Sequence, residues 1–177
     1  QKKPSERILY MYRDNCDRLI DKVGFDDETL THELKKIRPE IIINSFCNFK
    51  FKRILDNFET YNIHLSYLPQ YRGRHPLHWA IINGEKEHGI TIHKMNEEFD
   101  CGEIIWQKKI KILVNDSAQT LRKRLLNELQ INIENILNSI INNNYSPKKN
   151  YAADVKFARQ RFPKDNQIKN FSSFKKV

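Results

Sequence analysis

The sequence predicts a single α/β domain built in layers, and three observations predict it. Short apolar runs alternate with amphipathic stretches along the whole chain. The run Ile41-Ile42-Ile43 is apolar without alternation, as strands covered on both faces are. The chain has 177 residues, 39% of them apolar, enough for one full core and too few for two.

The elements follow in order. Residues 8–12 read as a short strand. Asp26, Asp27 and Glu28 mark a helix start, and Leu30, Leu34 and Ile37 recur at helical spacing. Pro39 stops that helix, because the residue before a proline avoids the helical region. The strand at 41–43 comes next, then a short helix over 49–57 and a strand over 61–65. A polar loop rich in turn formers spans 66–76. A helix over 77–82 is ended by Asn83-Gly84. Two strands, 89–95 and 103–113, flank a turn at 96–102. Asp116-Ser117 caps a long helix whose Leu and Ile residues recur every three or four positions, and Asn142-Asn143-Asn144 ends it.

Charge divides the chain unevenly. Of the net +9, residues 145–177 carry +7, from nine Lys and Arg against Asp154 and Asp165, which leaves +2 for the rest. The expected organisation is a core over 1–144 with a basic extension over 145–177 packed on or beside it. Such a segment attracts phosphate groups or serves as a solvated end. No apolar run reaches the ~18 residues of a membrane span, and residues 1–7 show no signal core. Three scattered cysteines without Cys-x-x-Cys spacing argue against a disulfide scaffold and a zinc site, and point to a reduced, cytoplasmic compartment.

Chemistry concentrates in two places. In a strand over 61–65, Asn62 and His64 share one face at the carboxyl end, where open α/β sheets hold ligands. Histidine moves protons near neutral pH, and an amide donates to a developing oxyanion without carrying charge. Asp100, beside Cys101-Gly102, can reach across to orient a histidine, or can close an Asx turn on its own backbone. A strand-end histidine can equally be a hydrogen-bonded structural residue. A Ser66–His64–Asp100 hydrolase triad lacks the Gly-x-Ser-x-Gly elbow. His75 and His78 lack further metal ligands at matching spacing. His93 and Trp79 read as structural, and neither a Rossmann nor a Walker glycine loop is present.

Taken together, the segments Asn62-Ile63-His64-Leu65-Ser66-Tyr67-Leu68-Pro69, Trp79-Ala80-Ile81-Ile82-Asn83-Gly84-Glu85, Gly89-Ile90-Thr91-Ile92-His93-Lys94-Met95 and Asp100-Cys101-Gly102 resemble the 10-formyltetrahydrofolate-dependent formyltransferases. The resemblance covers about residues 25–140. It implies a Rossmann-like formyltransferase fold, a mostly parallel sheet flanked by helices, with the N-terminal part shortened or missing. It also implies Asn62, His64 and Asp100 as the active trio, with 10-formyltetrahydrofolate as the formyl donor. Folate contacts fall on Phe46, Cys47, Asn48, Ser66, Asn96, Glu97 and Phe99, and acceptor contacts on Tyr71, Arg72, Gly73 and His75. The pieces from Arg72 to Glu85 and from Arg161 to Ile168 look most like the sugar-nucleotide N-formyltransferases, which makes a nucleotide-linked amino sugar the expected acceptor. Glycinamide ribonucleotide and methionyl-tRNA formyltransferases are the alternatives, followed by a non-catalytic binding module. A membrane is excluded as partner and nucleic acid disfavoured; relatives in the family often pair as dimers, which leaves a homodimer open.

Overall fold

Five strands form one sheet in the computed structural model, which describes residues 8–12, 27–46 and 50–166. They are β1 (Ile8–Tyr12), β2 (Ile41–Ser45), β3 (Glu59–His64), β5 (Glu87–Lys94) and β6 (Ile104–Lys111), in the spatial order β1-β2-β3-β5-β6. The first three pair in parallel. β5 runs antiparallel to both β3 and β6, so four strands point one way and β5 the other. A strand that returns through a turn needs no crossover helix, and the 95–103 turn supplies that return.

Helices cover both faces. On one face, α1 (Asp27–Ile37) and α2 (Arg53–Asn57) bury Leu30, Leu34, Phe51 and Ile54 against Ile42. On the other, α3 (Pro76–Ile82) and the 24-residue α4 (Ala118–Ile141) bury Leu77, Leu121, Leu125, Ile136 and Ile140 against Ile41, Ile43, Tyr61, Ile63, Ile90 and Ile92. The Ser117 side chain accepts the Thr120 N–H at 3.2 Å, closing the cap that the sequence predicts there. β6 is an edge, and Lys108, Lys109 and Lys111 along it discourage pairing with another chain.

Two expectations are corrected. The helix expected over 49–57 begins only at Arg53. The Asp27 carboxylate takes the Lys52 and Arg53 N–H groups, and Phe51 is buried against α1 and β2. The 66–76 stretch is not purely loop: β4 (Arg72–Gly73) pairs with β7 (Phe157–Ala158), so the described part of the basic extension lies against it. A short 3₁₀ turn, Pro163–Asn166, follows.

Candidate active site

Strand register builds the centre of the site. Asn44 on β2 stands opposite Asn62 on β3, and Asn62 stands opposite His93 on β5. Opposed residues in neighbouring strands share a face, so three polar side chains form a row across the sheet. All three lie on the Ile42 face, because side chains alternate along each strand. The row is joined: Asn44 Nδ2 donates to Asn62 Oδ1 at 2.8 Å, and Asn62 Nδ2 lies 3.1 Å from His93 Nε2.

Asp100 closes the row from above. The Asn62 amide donates to its Oδ1 at 3.2 Å, and the Gly73 N–H donates to Oδ2 at 2.9 Å. His64 Nδ1 and His93 Nε2 both stand 3.4 Å from Oδ1. The turn depends on Gly102, where an added Cβ would overlap the Lys94 carbonyl. Asp100 itself has φ 55, a left-handed conformation that side chains disfavour. Phe46, Tyr71 and His75 share this feature around the same cleft, and strained backbone of this kind concentrates at working sites.

The tautomers follow from the partners. His64 Nε2 lies 2.9 Å from the Tyr71 carbonyl, and His93 Nδ1 lies 2.9 Å from the Lys94 carbonyl. A carbonyl only accepts, so these nitrogens carry the hydrogens. The remaining nitrogens, His64 Nδ1 and His93 Nε2, therefore turn their lone pairs on the same carboxylate oxygen. One added proton converts that confrontation into a hydrogen bond between a ring nitrogen and Oδ1. Burial pushes the His64 imidazole below 6.5, against the raising effects of Asp100 and of the Tyr71 carbonyl. Burial alone would raise the Asp100 carboxyl, but His64, His93 and the Gly73 N–H outweigh it and hold it at about 2. At neutral pH the carboxylate is thus ionised beside an imidazole ready to take a proton.

The cluster floors a cleft of about 920 Å³. Asn62, His64, Gly73, His75, Phe46, Asn96, Glu97, Phe99 and Asp100 all line it, together with Asn44 and His93. Three expected contacts do not face it. Ser66 is fully buried and donates to the Gln70 carbonyl within its own turn. Tyr71 buries its ring, donating its hydroxyl to Glu85, and contributes to the site only through its carbonyl. Arg72 turns its guanidinium to Asn150. Cys47 and Asn48 lie outside the described residues. Trp79 is partly buried against Tyr71 and Ala158, donates to the Arg159 carbonyl at 2.8 Å, and has the Arg159 guanidinium 4.5 Å from its ring.

A carboxylate, two imidazoles and two amides at the carboxyl ends of β2 and β3 define a site for proton transfer on a bound small molecule. The formyl transferase family model matches residues 3–136, and the chain belongs to that family. It is 35% identical over 145 residues to the methionyl-tRNA formyltransferase of Malacoplasma penetrans, a match covering 80% of this chain and 45% of that one. It is 33% identical over 142 residues to the bifunctional polymyxin resistance protein ArnA of Wigglesworthia glossinidia brevipalpis, covering 76% of this chain and 21% of that one. The chain thus spans less than half the length of either relative. Among solved structures, a sugar N-formyltransferase from Shewanella sp. superposes with a TM-score of 0.67 at 26% identity, over 85% of this chain and 63% of that one. HypX of Aquifex aeolicus, in complex with tetrahydrofolic acid, superposes at 0.71 with 21% identity, over 87% of this chain and 30% of that one. Among the described residues, no helix is long and apolar enough to cross a membrane.

Proposed function

We propose that this chain transfers a formyl group from 10-formyltetrahydrofolate to the primary amine of a nucleotide-linked amino-deoxysugar. The observation that carries the reading is the convergence of Asn62, His64 and His93 on one carboxylate oxygen of Asp100 at the floor of the cleft.

The cleft suits an anionic pteridine donor. Phe46, Met95 and Phe99 offer apolar contact and Asn44 and Asn96 polar contact, while Lys50 and Arg122 stand beside the Phe99 and Phe46 rings with charge for a carboxylate tail. The donor, when bound, supplies a formyl carbon on a leaving nitrogen. The chain's own groups do the rest. His64 and His93, coupled through Asp100, take up the proton that the attacking amine sheds as it bonds the formyl carbon, hold it between a ring nitrogen and Oδ1, and return it to the leaving nitrogen as the donor's carbon–nitrogen bond breaks. Asn62 spends both amide hydrogens on Asp100 and His93, at the long end of hydrogen bonding, and can turn one of them to a developing oxyanion. His75 and Gly73 line the acceptor side, with Arg74 beside them.

The sugar acceptor is supported by the Shewanella sugar N-formyltransferase and by the basic segment laid against β4. Tyr151 and Phe162, both exposed on that segment, offer aromatic faces to a nucleotide. The methionyl-tRNA formyltransferase match supports a second acceptor, aminoacylated tRNA. A formyl-transfer assay against amino-sugar nucleotides, glycinamide ribonucleotide and charged initiator tRNA decides between them. Turnover with an amino-sugar nucleotide is expected. Turnover with tRNA alone would replace the acceptor, and turnover with none of them would remove the function.

A further inference from the structure

The Asp100 turn is held from outside by the segment that follows α4. Lys148 exchanges both main-chain hydrogen bonds with Ile104, at 2.8 and 2.9 Å. Two residues on, the Asn150 side-chain amide donates to the Asp100 carbonyl at 2.8 Å and to the Gly102 carbonyl at 2.9 Å. An amide nitrogen has two hydrogens, and both are used. The Asn150 main-chain and side-chain oxygens in turn accept from the Arg72 guanidinium at 2.5 and 3.1 Å. Arg72 precedes Gly73, whose N–H meets Asp100 Oδ2. These contacts close a ring: the Asp100 carboxylate, Gly73, Arg72, Asn150 and the Asp100 carbonyl.

The ring answers a need in the backbone. Asp100 sits in the left-handed region, which costs a side-chain-bearing residue free energy unless its surroundings fix it. Nothing in the Asp100–Gly102 turn itself binds those two carbonyls among the described hydrogen bonds; Asn150 does, from 48 to 50 residues away in sequence. The same residue ties down Arg72, through its main-chain oxygen and its side-chain oxygen, and through Arg72 the donor to the carboxylate.

We propose that Asn150 is a positioning residue for Asp100, holding both the turn and Arg72 so that the carboxylate meets Gly73, His64 and His93 together. This rests on the reading that Asp100 belongs to the reacting site. It assigns the post-helix segment a part in the chemistry distinct from any contact with an acceptor.

The test uses the full chain with Asn150→Ala, Asn150→Asp, Asp100→Asn and the Asp100→Asn/Asn150→Ala double variant. Asn150→Asp keeps the shape and the acceptor for Arg72 but cannot donate to both carbonyls. Amide exchange by NMR at pH 7 is expected to quicken at Gly73 by about tenfold or more in both Asn150 variants, with Ile92 in central β5 unchanged; loss of two hydrogen bonds sets that scale. In formyl transfer, kcat is expected to fall about 10- to 100-fold in both variants, with KM for the formyl donor changed less than about twofold. The double variant is expected to be no slower than Asp100→Asn alone, because Asn150 acts through that carboxylate. Unchanged Gly73 exchange in Asn150→Ala would overturn the proposal, as would multiplying losses in the double variant. If the wild-type chain formylates no acceptor, the functional reading falls, and Gly73 exchange alone then decides the role of Asn150.

Discussion

Acidification should weaken this fold through His88, by an amount the structure sets. His88 lies on β5 and is 3% exposed, with Nε2 2.8 Å from the Leu65 carbonyl just past His64. Its ring meets Tyr71 edge-on, 5.7 Å between centroids. Burial pushes the imidazole from 6.5 down to about 4, and the hydrogen bond to Leu65 only partly opposes it. The folded pKa is below the unfolded one, so below pH 6.5 the unfolded chain binds a proton that the folded chain refuses. The stability contributed is therefore intact above pH 6.5 and lost as pH falls towards 4. At pH 4 the unfolded imidazole is almost fully charged and the folded one half charged. That is a factor of about 160 in the unfolding equilibrium, or about 3 kcal/mol. Against a typical total of about 5–15 kcal/mol this is a large share. Urea unfolding followed by fluorescence of Trp79 and Trp106, at pH 7, 5.5 and 4, compares wild type with His88→Gln. The variant should start less stable at pH 7 and lose about 3 kcal/mol less on going to pH 4. Parallel pH profiles for the two proteins would refute the assignment. His64 shifts in the same direction and is present in both, so the difference isolates His88.

Two further predictions concern the Asp100 turn. In Asp100→Asn, the new amide can accept the Gly73 N–H and donate to the two ring nitrogens that now face the carboxylate, in exchange for the long hydrogen bond from Asn62, so the melting temperature should stay within a few degrees while turnover falls about 10²–10⁴-fold. Thermal melting and formyl transfer measured on one preparation check both halves, and unchanged turnover would remove Asp100 from the chemistry. Gly102→Ala forces its Cβ into the Lys94 carbonyl, so it should cost about 3 kcal/mol or more and lower the melting temperature by roughly 6–12 °C. Calorimetry showing a wild-type melt would mean that the turn does not approach β5 this closely.

The elements themselves were legible because each had a local cause. The uninterrupted Ile41-Ile42-Ile43 run, Pro39 after α1 and the Ser117 cap act over a few residues, and all three elements formed where those signals stand. Asn62 and His64 were legible too, since alternation within one strand places them on one face. Asn44 and His93 were not recognised, because the row they complete arises from register between strands 18 and 31 residues apart. Read along β5 alone, His93 is one more polar residue on an inward face. The two-residue β7 escaped for a different reason: it is too short to show any period, and what fixes it is pairing with a loop 85 residues earlier. A usable signal was nevertheless present. Asn44 follows directly on three isoleucines and is buried with them, at 4% exposure. A polar side chain in such a place destabilises the sheet unless another polar group meets it. That requirement points across to a neighbouring strand, and the candidates there, an amide on β3 and an imidazole on β5, are the groups that the Asp100 carboxylate gathers.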